Sequence, residues 1–208
     1  PSSNIEILDN FRFVDCEYNE HFNNRKTLKL VYLSRVWKEK GIFDLMEAID
    51  VISKTTNDIT LDIYGKKSLN DDENKLFNFM LSKNKNIKYC GELDPSQSIS
   101  TLHQYDLFVF PTKYKGEGTP GVLAESLIAG TPILTSDFSN ANSILKCDED
   151  SIYFSLGNNI DLINKILYVY NNKEKLKLLG KNCIINSKRF IYQFIRNDFL
   201  RLICGYGK

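Results

Sequence analysis

Glu117-Gly-Thr-Pro-Gly-Val-Leu-Ala-Glu125, continuing as Ser126-Leu-Ile-Ala-Gly-Thr-Pro-Ile-Leu134, joins a glycine-bearing loop to a short apolar segment that reads as a helix. Thr119 and Pro120 have the chemistry of a helix start, with threonine as N-cap and proline at the first helical position. Gly130 suits the C-cap. Pro132 to Thr135 then reads as a strand. On this spacing Glu117 hangs at the helix mouth. Glu125 lies about two turns further along its side.

Working outward, the same alternation recurs. Apolar runs rich in strand formers cover 28–34, 60–65, 86–91, 106–111, 132–135 and 151–154. Helical spacing of Ile42, Leu45, Met46, Ile49 and Ile52 follows the first. Leu76, Phe77, Met80 and Leu81 mark an amphipathic helix over 70–82. Further helices are predicted over 95–105, 139–146, 160–170, 173–186 and 191–202. Residues 1–26 suggest short extended pieces and a polar loop. Strand and helix alternating through short links imply a parallel sheet with helices on both faces, an α/β Rossmann-like architecture. Ligands of such sheets sit at the carboxyl ends of the strands. The informative loops are therefore 34–41, 65–69, 91–94 and 112–119.

Composition narrows the function classes. The chain has 208 residues, 42% of them hydrophobic and 25% charged, enough for a buried core. A formal net charge of +1 gives no global attraction to nucleic acid or anionic lipid, so any anion site is local. No apolar run approaches the roughly 18–20 residues that span a bilayer, and no secretory signal opens the chain. Five widely spaced cysteines without a CxxC pair read as reduced thiols of a cytoplasmic protein. His21 and His103 are far apart, and Asp71-Asp72-Glu73 reads as an acidic helix start, so no metal site is expected.

Three constellations can carry chemistry. Arg35 and Lys40, with Lys38 beside them, lie in the loop after the first strand. They suit a diphosphate clamp; the alternative is a pair of solvated surface charges. The backbone N–H groups of Gly121 and Val122, at the start of the central helix, form an anion site, and Gly118 and Gly121 permit close approach. Glu117 and Glu125 can accept paired hydrogen bonds from vicinal hydroxyls of a ribose or hexose. A hydrolytic acid/base pair is disfavoured, since both lie along one helix. The plain alternative is an exposed Glu117 and a Glu125 paired with a neighbouring cation.

The E-x7-E spacing of Glu117 and Glu125 resembles the signature of retaining glycosyltransferases of family 4, which have the GT-B fold. Ser34-Arg35 followed by Lys40-Gly41 is similar to that family's G-R…K-G loop. Asp62-Ile-Tyr-Gly65, Tyr89-Cys-Gly91 and Asp106-Leu-Phe-Val-Phe-Pro-Thr112 resemble its strands in order. The loop Tyr114-Lys-Gly-Glu-Gly118 is similar to a branch that builds capsules and exopolysaccharides.

The resemblance implies a donor-binding domain. Arg35 and Lys40 would meet the donor diphosphate, Glu117 the transferred sugar and Glu125 the ribose. The backbone amides of Gly121 and Val122 would meet the distal phosphate, and Gly118, Thr119, Gly65 and Gly91 would complete the donor-binding set. The donor would be a UDP- or GDP-sugar, without a metal or other cofactor. Two departures stand out. Ser34 replaces the glycine before the arginine, and 136–145 lacks the double glycine and following glutamate.

The implied organisation is an interdomain linker over 1–26, a nucleotide-sugar-binding domain over 27–187 and a C-terminal crossing helix over 188–208. The N-terminal acceptor-binding domain is the missing partner. Without it, the chain is expected to bind donor weakly and transfer nothing. Cytoplasmic placement follows, with peripheral contact at the inner face of the membrane only in a full-length enzyme. A non-catalytic binding module of the same fold, or a domain of a nucleotide-sugar epimerase, is the alternative.

Overall fold

The computed structural model describes Arg12, residues 26–192 and Arg196. Six strands alternate with helices: β1 (Leu28–Leu33), α1 (Ile42–Ile52), β2 (Ile59–Tyr64), α2 (Asp71–Lys83), β3 (Ile87–Gly91), α3 (Ser98–Leu102), β4 (Leu107–Phe110), α4 (Gly121–Ile128), β5 (Ile133–Ser136), α5 (Ala141–Ile144), β6 (Ser151–Phe154), α6 (Asn159–Asn171) and α7 (Lys173–Ser187). The strands form one sheet in the order β3-β2-β1-β4-β5-β6, and every pairing is parallel. The chain starts at the centre and winds outward, first one way and then the other. This is a doubly wound Rossmann-like fold, whose order reverses between β1 and β4 and leaves a crevice at their carboxyl ends.

The sheet is buried on both faces because its central strands are apolar along nearly their whole length: β4 at all four positions, and β1 at all but Lys29. In β1, Leu30 and Tyr32 join one core and Val31 the other; in β4, Leu107 and Val109 oppose Phe108 and Phe110. That is the period-2 alternation of a strand with two covered faces. One core takes Ile42, Leu45, Met46, Ile49 and Ile52 of α1 and Leu162, Ile166 and Val169 of α6. The other takes Leu123 and Leu127 of α4, Cys183 of α7 and Phe190.

Local chemistry sets the element ends. Asn70 caps α2 by accepting from the Glu73 N–H, while Glu73 accepts from the Asn70 N–H. The acidic run 71–73 is thus a helix start satisfying orphan donors, reinforced by the dipole. Gly130 follows α4 with φ +70°, the left-handed conformation that glycine adopts without a Cβ penalty.

Several expected boundaries move. α4 begins at Gly121, and Thr119 is not its cap. Pro120 is extended (φ −66°, ψ 120°) and occupies the N-cap position, its carbonyl accepting from the Leu123 N–H at 3.1 Å. The expected helix over 95–105 opens as a 3-10 turn, Pro95–Gln97, capped by Asp94, and continues as the five residues of α3. The 139–146 helix contracts to the single turn of α5. Leu76, expected on the apolar face of α2, is exposed, while Phe77 is buried.

Of the terminal segments, Arg12 and Ile191 form a parallel bridge. Ile191 is therefore extended, not helical (φ −103°, ψ 119°). The rest of the helix expected over 191–202 lies outside the described residues apart from Tyr192 and Arg196, as do most of 1–26 and two cysteines, Cys16 and Cys204. Cys90, Cys147 and Cys183 are free thiols. Among the described residues no helix is long and apolar enough to cross a membrane.

Candidate functional site

The carboxyl ends of β1, β2 and β3 are drawn together by glycine. Gly65 has φ +139°, and a Cβ there would stand 1.8 Å from the Ser34 carbonyl oxygen. Its N–H donates to Gly91 O at 2.8 Å, and its carbonyl accepts from the Tyr89 hydroxyl. Gly91 also needs positive φ, +89°. Between these turns and the start of α4 lies a cleft of about 390 Å³, lined among others by Leu33, Ser34, Gly65, Glu92, Val122 and Glu125. Ser34, the serine in place of glycine, therefore faces the cleft directly.

The loop after β4 carries Glu117 across the reversal point. Glu117 is buried, only 9% exposed, which departs from the alternative of an exposed carboxylate. Lys40 donates to its Oε2 at 2.5 Å and the Thr112 hydroxyl to the same oxygen at 2.7 Å. Asn140 holds the Glu117 carbonyl at 2.9 Å, and the Ser136 hydroxyl holds the Thr112 carbonyl. The Lys40 ammonium also sits over the rings of Phe110 and Tyr114, 5.6 and 5.4 Å from their centroids. Trp37 packs on Tyr114 at 5.3 Å. The segment lacking double glycine thus supports the acidic loop through Asn140.

Beneath this pair, the Tyr32 hydroxyl donates to Arg35 O at 2.7 Å. Burial pushes that phenol well above its ordinary pKa, and the Glu117 charge adds to the rise, so Tyr32 stays a neutral donor. The Arg35 side chain is exposed and makes no ion pair among the described residues.

At α4, Gly121 and Val122 carry N–H groups with no intrahelical partner, as the first residues of any helix must. Glu125 stands one turn on and is paired with a cation: Arg12 Nε donates to its Oε1 at 3.0 Å. Gly118 precedes the turn in open space, and a Cβ there would meet nothing within 4 Å.

The structure therefore gathers Arg35, Lys40, Gly65, Gly91, Glu117, Gly118, Gly121, Val122 and Glu125 around the carboxyl ends of β1–β4, with Thr119 in the intervening loop. Arg12, Thr112 and Asn140 join them. Arg12 lies 113 residues from its partner; Thr112 ends the Asp106–Thr112 motif and Asn140 falls in the departing 136–145 segment, but nothing in either stretch marks the residue as one that holds Glu117. Two cations pair with two carboxylates, while Arg35 stands exposed near the free N–H groups of a helix start, groups that can hold an anionic ligand that also carries hydroxyls.

A doubly wound domain with an open crevice at its reversal point is the class that fold and site define. Residues 17–184 match the model of the family Glycosyl transferases group 1, and the chain belongs to that family. It is 23% identical over 175 residues to the capsular polysaccharide biosynthesis glycosyltransferase CapM of Staphylococcus aureus, covering 84% of this chain and 44% of that protein. The structure of Anabaena HepE in complex with UDP superposes with a TM-score of 0.73 at 18% identity, over 86% of this chain and 49% of that one.

The C-terminal domain of a glycosyl transferase group 1 family protein, LpcC from Francisella tularensis, superposes with a TM-score of 0.66 at 16% identity. That match covers 83% of this chain and 86% of that domain. The chain thus has the fold of the C-terminal domain of a GT-B glycosyltransferase, and it spans less than half the length of CapM and HepE.

Proposed function

We propose that this chain is the donor-binding domain of a retaining family 4 glycosyltransferase that takes a nucleoside diphosphate sugar of the UDP or GDP type. The observation that carries the proposal is the placement of Glu117 and Glu125 on either side of the α4 start, with Glu125 lining the 390 Å³ cleft at the reversal point of the sheet. HepE, which shares the fold, is a UDP complex, and the free N–H groups at the start of α4 together with Arg35 and Lys40 of the loop after β1 supply donors for two phosphates.

In this proposal the ribose hydroxyls donate to Glu125, and the distal phosphate accepts from Gly121 and Val122 N–H. Arg35, Lys40 and the α4 dipole neutralise the leaving diphosphate, without a metal. Glu117 meets the transferred sugar once the donor draws Lys40 toward phosphate. CapM belongs to capsular polysaccharide biosynthesis, and transfer to a glycan or lipid-linked acceptor at the inner face of the membrane is the corresponding role. The acceptor site belongs to the N-terminal domain, so this chain alone binds donor and transfers no sugar.

Calorimetry with a panel of UDP- and GDP-sugars tests this. One nucleotide should bind in the micromolar to millimolar range, weakened by Arg35→Ala and by Glu125→Ala. Failure of every nucleotide to bind, or binding indifferent to both variants, would favour a non-catalytic module.

A further inference from the structure

Glu125 is not held by its own helix. Its carboxylate is fixed by a residue from the far end of the chain, and that residue is itself fixed. Arg12 N–H donates to Phe190 O at 2.6 Å, and Tyr192 N–H donates to Arg12 O at 3.0 Å. These two backbone bonds pin the Arg12 Cα against the segment after α7. From there the guanidinium reaches across to α4, where Nε donates to Glu125 Oε1 at 3.0 Å. Its Nη2 lies 2.1 Å from the point that a Cβ on residue 121 would occupy, and Glu125 Oε1 lies 3.8 Å from that same point. Glycine at 121 therefore makes room for the guanidinium. The pair is half-shielded, with 31% and 17% of the two side chains exposed.

We infer that Arg12 is a positioning residue of the donor site, which holds the Glu125 carboxylate in the orientation that accepts the ribose hydroxyls and so sets preference for ribose over 2′-deoxyribose. This rests on Glu125 being the ribose partner. The chemistry follows from acceptor geometry. A carboxylate has about four lone-pair sites, and Arg12 engages one oxygen through a single N–H, leaving Oε2 as an acceptor on a side chain that lines the cleft. A glutamate swinging through its rotamers must be ordered when the sugar arrives. One tied to a backbone-pinned arginine is ordered beforehand, so its contribution to affinity is larger. A hydroxyl that finds a preplaced charged acceptor is also discriminated more strongly from its absence.

The test measures discrimination, not affinity alone. The 208-residue chain is titrated with UDP, 2′-deoxy-UDP and UMP, and with the guanine counterparts, as wild type, Arg12→Gln, Arg12→Lys and Glu125→Gln. Wild type is expected to prefer the ribonucleotide by about tenfold, the scale of one hydrogen bond to a charged acceptor. Arg12→Gln should reduce that preference to about two- to threefold while leaving the diphosphate-over-monophosphate preference unchanged. Arg12→Lys, which keeps the charge and safeguards folding, should fall between.

An unchanged ribose preference in Arg12→Gln overturns the inference. So does tighter binding of both ribo- and deoxyribonucleotides, which would make Arg12 a blocker of the site. A collapse of the diphosphate preference would make it a phosphate ligand instead, and overturns it equally. If Glu125→Gln keeps full ribose preference, or wild type binds neither nucleotide, the underlying assignment of the site fails. That outcome is distinct from failure of Arg12→Gln alone.

Discussion

Lys40 Nζ stands 2.5 Å from Glu117 Oε2, joining residues 77 positions apart, with 15% and 9% of their side chains exposed. Removing one member of a nearly buried pair strands the other charge. Lys40→Ala should therefore destabilise the domain by about 2–4 kcal/mol, toward the range seen for broken buried pairs. Lys40→Met combined with Glu117→Gln should recover much of the loss, since no charge is then left uncompensated. Urea denaturation of the singles and the double checks this; a double mutant no better than Lys40→Ala would sink the idea.

Arg35 offers the contrast. It sits one loop away from the same glutamate yet makes no ion pair among the described residues. Arg35→Ala should change stability by no more than about 0.5 kcal/mol. If the proposed function holds, it should weaken diphosphate binding several-fold. Melting curves and calorimetry on one preparation separate the two effects.

Glycines 65 and 121 should respond oppositely to alanine. At 65 a Cβ meets the rigid Ser34 carbonyl at 1.8 Å in a backbone with φ +139°. Gly65→Ala should cost about 2 kcal/mol or more. At 121 a Cβ meets the far end of Arg12, which can swing away, and alanine favours a helix by up to about 1 kcal/mol. Gly121→Ala should melt near wild type while losing ribose discrimination as Arg12→Gln does.

Asp150 is fully buried, accepting from the Lys146 N–H at 2.8 Å and the Asn186 amide at 2.9 Å. Burial raises its pKa, and those hydrogen bonds and the Arg189 charge oppose the rise without cancelling it. A folded-state pKa above the unfolded value means that the protonated form is favoured in the fold. The associated stability is fully present below about pH 3.9 and is lost as pH rises through the raised value. The stability of wild type relative to Asp150→Asn should therefore fall with rising pH across that window. A difference that stays flat, or that grows with pH, contradicts the assignment.

The sheet was largely legible in the chain because its strands are short apolar runs bounded by turn residues, and a strand buried on both faces leaves that trace locally. All six predicted strands are present. Residues 151–154 match to the residue because polar groups flank an apolar core there. The end of α4 was legible from Gly130. Its start was not, because the choice between Thr119 and Pro120 as cap depends on the ψ of one proline, which the loop around it decides. Exposure of Leu76 beside a buried Phe77 likewise reflects which face of α2 meets the sheet.

The site divides in the same way. Sequence determined that two glutamates eight positions apart, two cations after β1 and the glycines ending β2 and β3 would converge, since parallel topology brings the carboxyl ends of strands to one edge. Tertiary structure alone decided what each glutamate touches. Glu117 is buried on Lys40 and Thr112, and Glu125 is tied to Arg12. Spacing along a helix fixes where a carboxylate starts. Its partner comes from whichever distant segment packs against it, and a bond spanning 113 residues leaves no periodicity, cap or turn in the chain for a reader to find.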